Sequence, residues 1–149
     1  LLTAAILNKG QLVEPTIVDR IVDENGRVLY RSHRMIINRA VSPETSETVN
    51  SLMKATIRSG TSRKAFSGRG RDRILSRLNI GSKTGSINSK THDTRYDWFV
   101  GFAREINGPE AIAVSVVVAH EKYIGTRAGQ YARIAIKRYF RNYFSKQKT

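Results

Sequence analysis

The run Ile80-Gly81-Ser82-Lys83-Thr84-Gly85-Ser86-Ile87 sets an ammonium, hydroxyls and a bare backbone side by side. On a strand, alternation sends Lys83 and Gly85 to one face and Thr84 and Ser86 to the other, unless the chain twists at Gly85. At a sheet edge such a strand can pair with an extended peptide through its main chain. Its cation and hydroxyls would then hold a carboxylate. Lys-Thr-Gly alone is a three-letter match that arises by chance in many proteins, so its weight depends on the surrounding chain. Other chemistry is thinner. The chain has no cysteine, which excludes a thiol nucleophile, a cysteine–zinc site and a disulfide scaffold. His33, His92 and His120 are scattered without metal-ligand spacing and read as surface or loop residues. Asp93 and Asp97 lack a carboxylate partner at a catalytic spacing, and Trp98 reads as core or cleft wall.

The elements that must position this run can be read from pattern. Residues 1–9 read as the end of a buried helix stopped at Gly10, since glycine tolerates positive φ. A hairpin is expected over 12–31. Its strands are Thr16-Ile17-Val18-Asp19-Arg20-Ile21-Val22 and Arg27-Val28-Leu29-Tyr30, turned by Asn25-Gly26. A helix is expected over 42–59. Ser42 serves as N-cap, Pro43 fits the first turn, Glu44 and Glu47 suit the dipole, and Val49, Leu52, Met53 and Ile57 share a face. Residues 61–78 read as an exposed basic loop or weak helix, and Arg63, Lys64, Arg69, Arg71, Arg73 and Arg77 face Asp72 alone. Three strands follow within 79–119. The last, over 111–119, is an unbroken apolar run that fits a strand covered on both faces, and Asn107-Gly108-Pro109 makes it an antiparallel partner of the strand before it. A helix over 128–144 closes the chain, with residues 145–149 as a frayed tail.

The chain has 149 residues with 40% hydrophobic and 26% charged, an ordinary globular mix that argues against wholesale disorder. Its 26 Lys plus Arg against 12 Asp plus Glu give a net charge of +14, which points to an anionic partner: nucleic acid, anionic lipid or an acidic polymer. No stretch reaches the ~18 apolar residues of a membrane span. Leu1 to Leu7 lacks a preceding basic residue and does not read as a signal peptide. The chain reads as opening inside a helix, and so as part of a longer protein.

Lys83-Thr84-Gly85 is one of three signatures of penicillin-binding proteins and serine β-lactamases. Ser59-Gly60-Thr61-Ser62-Arg63-Lys64-Ala65-Phe66 resembles the Gly-Thr-x-x-x-Ala segment that precedes that strand in penicillin-binding transpeptidases. Tyr96-Asp97-Trp98-Phe99-Val100-Gly101-Phe102 resembles the family's next strand. Residues 112–119 and the closing helix resemble its last strand and C-terminal helix, and Val13-Glu14-Pro15 its Val-x-Pro hairpin. The resemblance runs through nearly the whole chain in order, and identifies it as the C-terminal portion of such a domain.

The resemblance implies an α/β fold of the α+β type, an antiparallel sheet flanked by helices, as part of a penicillin-binding transpeptidase or β-lactamase-like architecture. It implies a serine D,D-transpeptidase that cross-links peptidoglycan stem peptides ending in D-Ala-D-Ala through an acyl-serine, and that β-lactams trap. Carried over, Lys83 supplies charge at the cleft, Thr84 and Ser86 bind the substrate carboxylate, Gly85 leaves room for the substrate backbone, and the Ser86 N–H forms half of an oxyanion hole. Ser82 stands where many relatives carry glycine, and Ser86 where many carry threonine. The nucleophile's Ser-x-x-Lys and the Ser-x-Asn motif are expected outside the chain. Ser51-Leu52-Met53-Lys54 would lie mid-helix with no free N–H for an oxyanion, and Ser86-Ile87-Asn88 overlaps the Lys-Thr-Gly strand. The chain alone is therefore expected to be inactive.

No cofactor or metal is implied. Expected partners are stem peptides, β-lactams, the rest of the domain and anionic groups of the envelope, at the extracytoplasmic face of the cytoplasmic membrane. Strand 111–119 is expected to leave an apolar edge through which the isolated chain self-associates. The competing reading is a basic module that binds nucleic acid or an anionic surface. It explains the charge but not the ordered motifs, and the chain carries no nucleic-acid motif.

Overall fold

The computed structural model describes residues 1–147. Its elements are α1 (Leu2–Leu7), β1 (Gln11–Val13), β2 (Arg20–Val22), β3 (Val28–Arg31), β4 (Ile36–Arg39), α2 (Pro43–Arg58), β5 (Leu78–Asn88), β6 (Arg95–Glu105), β7 (Ala111–His120) and α3 (Ala128–Lys146). The centre is an antiparallel sheet in the order β5-β6-β7, with two small two-stranded sheets, β1-β4 and β2-β3, beside it. No helix among the described residues is long and apolar enough to cross a membrane.

Strand alternation sorts the sheet into two faces. On one, Ile80, Phe99 and Ala103 pack against Ala132, Ile136 and Phe140 of α3, with Phe66 and Leu75 from the segment before β5. On the other, Phe102 packs under Met53 of α2 and Leu7 of α1. The sheet is therefore the middle of three layers. Two glycines allow it to sit so tightly. A Cβ on Gly101 would lie 2.6 Å from the Gly81 carbonyl oxygen and 2.8 Å from the Phe99 ring. The first neighbour is main chain in a paired strand and cannot swing aside. Gly101→Ala is expected to cost about 1–3 kcal/mol by overpacking, read as a lower urea midpoint at unchanged slope.

α2 starts where its capping signals lie: the Ser42 Oγ accepts the Thr45 N–H at 3.1 Å, with Pro43 in the first turn. Between α2 and β5 the basic segment forms turns and two short 3₁₀ turns, Arg69–Arg71 and Leu75–Arg77. Most of it is exposed, as expected, but Phe66 and Leu75 anchor it in the core, and Asp72 ties it down by accepting the N–H groups of Ile74 and Leu75 and the Lys137 ammonium.

Several expectations change. α3 runs on to Lys146, so the tail expected over 145–149 is helical at its start, and residues 148–149 of it lie outside the described residues. β2 and β3 do pair, across a turn where Gly26 has φ +78° and Asp23 accepts the N–H groups of Asn25 and Arg27. Leu12 and Val13 are not part of that hairpin; they pair with β4, a strand that no turn signal beside its Ile36-Ile37 run announces. β7 is covered on one face only. Ile112, Val114, Val116 and Val118 meet the core, while Ala113, Ser115, Val117 and Ala119 are exposed, because α1 reaches only the start of the strand at Ala111. Finally, α1 is not wholly buried: Ala5 and Leu7 are, but Leu2 stands out into solvent.

Candidate functional site

β5 lies at the edge of the sheet, so its outer side faces no strand. α2 covers the first half of that edge, where the Thr56 hydroxyl donates to the Ser82 carbonyl at 2.5 Å. Beyond Ser82 the edge opens onto a cavity of about 560 Å³ lined by Lys83, Thr84, Gly85 and Ser86, with Thr61, Lys64, Trp98 and Arg127 among its walls. Thr84 and Ser86 stand opposite Phe99 and Asp97 on the α3 face, while Lys83 and Gly85 stand opposite Val100 and Trp98 on the other. An edge strand shows both faces to one cavity, so all four residues line it despite alternating.

The main chain follows the same logic. The carbonyls of Ser82 and Thr84 both accept from groups outside the β5–β6 ladder, Thr56 and the Lys83 ammonium, the latter at 2.6 Å. In an antiparallel pair the outward-pointing groups recur at every second residue, which puts the Ser86 N–H on the open edge as well. Gly85 is not required by the fold: a Cβ there would meet Trp98 at 3.7 Å, an ordinary contact.

A layer of hydroxyls fixes the strand from beneath. The buried Ser82 Oγ donates to the buried Ser62 Oγ at 2.7 Å, and the Thr84 and Thr61 hydroxyls lie 2.7 Å apart. Ser82, where the family resemblance leads to glycine, thus ties β5 to the Gly60-Thr61-Ser62 turn. Behind Ser86 sits Asp97, buried and saturated with donors. Its Oδ1 accepts from Arg127 at 2.7 Å and from the Ser86 hydroxyl at 3.3 Å; its Oδ2 accepts from Arg127 Nε at 2.8 Å and from the Ala128 N–H at 2.9 Å. Hydrogen bonding from Arg127 leads the effects that hold the Asp97 carboxyl at a pKa of about 2, with the Ala128 N–H adding to it against the opposing effect of burial. The Arg127 guanidinium is correspondingly neutralised by its partner. Neither Lys83 nor Lys64 forms an ion pair among the described residues, so they are the free cations of the cavity.

The structure brings Lys83, Thr84, Gly85 and Ser86 to one cavity, with Trp98, read as core or cleft wall, on its side; Asp97 and Arg127 line it too, and the sequence does not pair them. Thirty positions separate that pair, and only the register of β6 and the start of α3 bring it together. Ser51 lies within α2, exposed and off this cavity, so it does not join the site. No cluster of His, Asp or Glu able to hold a metal occurs among the described residues; His120 is buried at the end of β7 with its Nε2 unpaired.

The comparisons agree with one another. The family model for the penicillin binding protein transpeptidase domain matches residues 2–140. Penicillin-binding protein 1A of Aquifex aeolicus (strain VF5) is 34% identical over 105 residues, which is 68% of this chain and 13% of that protein. Among solved structures, the D,D-transpeptidase domain of a peptidoglycan glycosyltransferase from Eggerthella lenta superposes with a TM-score of 0.69 at 22% identity, over 91% of this chain and 29% of that one. Penicillin-binding protein A from M. tuberculosis, in its penicillin G acyl-enzyme complex, gives a TM-score of 0.65 at 24% identity, over 91% and 28%. The chain thus spans 13% of that relative and less than a third of each of these two structures. With an antiparallel sheet between helices and a Lys-Thr-Gly edge strand set on its cavity, the chain belongs to the penicillin-binding protein transpeptidase family.

Proposed function

We propose that this chain supplies the substrate-holding strand of a serine D,D-transpeptidase that cross-links peptidoglycan stem peptides. The observation that carries the proposal is the open edge of β5, where an unpaired ammonium, hydroxyls and outward main-chain groups meet at one cavity. A stem peptide ending in D-Ala-D-Ala lies along this edge as an added strand. Lys83, with Thr84 and Ser86, holds its terminal carboxylate. A serine outside this chain attacks the carbonyl between the two D-alanines, the last D-Ala leaves, and the amine of a neighbouring stem peptide takes the acyl group. The Ser86 N–H stabilises the oxyanion in both steps. A β-lactam enters the same way and leaves the serine acylated. Without the serine, the chain alone does not turn over. The whole protein works at the extracytoplasmic face of the membrane, anchored by a segment outside this chain.

Gly85 offers a test that separates site from fold. Gly85→Ala has room beside Trp98, and removing glycine flexibility stabilises by about 0.4–1 kcal/mol where the backbone suits alanine. The added methyl stands on the cavity side of the strand. In the whole protein, penicillin acylation is expected to slow about tenfold while the unfolding midpoint holds or rises. An unchanged acylation rate would show that no ligand backbone passes over Gly85.

A further inference from the structure

A second concavity of about 560 Å³ lies between the end of α2 and the turns that follow it, with Arg58, Arg63, Lys64 and Arg69 in its walls. No carboxylate lines it: Asp72, the one acid between Glu47 and Asp93, is held by Lys137. None of these cations forms an ion pair among the described residues. A cation suits the carbonyl end of a helix, which accounts for Arg58; the others stand beyond the helix. The main chain adds to the charge. Every carbonyl from Lys64 to Arg69 already accepts a bond, those of Ala65 and Ser67 from Arg133 of α3 and the rest from N–H groups three residues on. The N–H groups of Gly68 and Gly70, which also line the concavity, have no partner among the described residues, and a Cβ on either glycine would meet nothing within 4 Å. The segment thus spends its acceptors inside the fold and leaves donors and cations open. Its floor is built: Phe66 is buried and stacks on Phe99 with ring centroids 6.0 Å apart.

We propose that this groove binds phosphate groups carried on a flexible, water-borne polyol phosphodiester chain. Its donors arrive from a helix end, from a turn and from a glycine-containing loop. A tetrahedral phosphate accepts from several such directions at once, whereas a carboxylate accepts near its own plane. No large apolar side chain between Leu52 and Ile87 is exposed, so nothing here anchors in a bilayer, and no exposed ring offers a nucleic-acid base a platform. A chain of phosphates reaches into a concavity that a flat membrane surface spans. This site is separate from the β5 cavity and does not depend on the transpeptidase reading. It gives the basic segment a task, tethering the protein to an anionic polymer, and explains a share of the net charge of +14.

The test is fluorescence anisotropy of a labelled glycerol phosphate hexamer with the whole protein at physiological salt, with amide hydrogen exchange read in parallel. The hexamer should bind and slow exchange over residues 64–71. A capped hexaglutamate of matching charge should bind about tenfold more weakly. Arg58→Gln/Arg63→Gln/Arg69→Gln should weaken the hexamer about tenfold or more and flatten its salt dependence, at an unchanged unfolding midpoint. Arg20→Gln/Arg27→Gln/Arg31→Gln removes equal charge from the exposed β2–β3 hairpin and should stay within about twofold of the wild type. If the first triple variant does not fold, Arg58→Gln and Arg63→Gln, both at exposed positions, should each cost about threefold. Equal affinity for hexaglutamate, equal loss in the two triple variants, or binding without protection at 64–71 would overturn the proposal. So would tighter binding of an oligothymidylate of the same charge, or protection at 64–71 by phosphatidylglycerol vesicles but not by the hexamer.

Discussion

Asp97→Ala is expected to destabilise the protein by about 2–4 kcal/mol, because it leaves several donors without their acceptor at once. Arg127, the Ala128 N–H at the start of α3 and the Ser86 hydroxyl all converge on this one carboxylate. Removing one partner of a fully buried pair costs more; the estimate is set lower because the Arg127 side chain is 46% exposed and recovers part of its hydration. The wild-type protein should also show the contribution of Asp97 in its acid limb. The carboxyl has a pKa of about 2 in the fold against an ordinary 3.8. Its stabilisation is therefore complete above about pH 4 and is lost as the pH falls toward 2, roughly 2 kcal/mol in all. Burial opposes ionisation of Asp72, but the bonds from Lys137 and from the Ile74 and Leu75 N–H groups outweigh it and bring that pKa to about 2 too, so both act over the same window. Urea unfolding at pH 7 and pH 3 checks this. Asp97→Ala should be less stable at pH 7 and lose less between the two pH values than the wild type. Parallel losses would mean that the Asp97 network does not hold β6 to α3.

The same carboxylate explains what could and could not be read from the sequence. Lys83 to Ser86 were legible because a strand's alternation and a short motif are local properties, and the order of surrounding segments supplied the family context. The Ser42-Pro43 start of α2 was legible for the same reason: a cap acts on the next turn. Asp97 carried no such signal. Its function depends on standing opposite Ser86 in the register and on Arg127 arriving from another element, neither of which is visible in spacing. The β1–β4 pair shows the same limit, since the Asn-Gly turn announces only the inner hairpin and nothing local ties Leu12 to Asn38. The uncovered face of β7 illustrates a third case. A run as apolar as Val114-Ser115-Val116-Val117-Val118, broken only by Ser115, reports affinity for burial, not whether an element lies over it.

The proposed holding of substrate turns on Lys83. Its ammonium sits at the open edge of β5, 2.6 Å from the Thr84 carbonyl and without a carboxylate partner among the described residues. In the proposed function, a carboxylate on the ligand is the acceptor that this charge lacks. In the proposed reading, charge preorganised at the cleft acts on binding and on the developing oxyanion together, and removing such a group typically costs ~10²–10³-fold. Lys83 is exposed and does not support the core, so Lys83→Ala should fold as the wild type does. The decisive measurement is the second-order rate of penicillin acylation of the whole protein, wild type against Lys83→Ala, with unfolding midpoints measured in parallel. A fall of about a hundredfold or more at an unchanged midpoint is expected. An unchanged acylation rate would contradict the role proposed for Lys83.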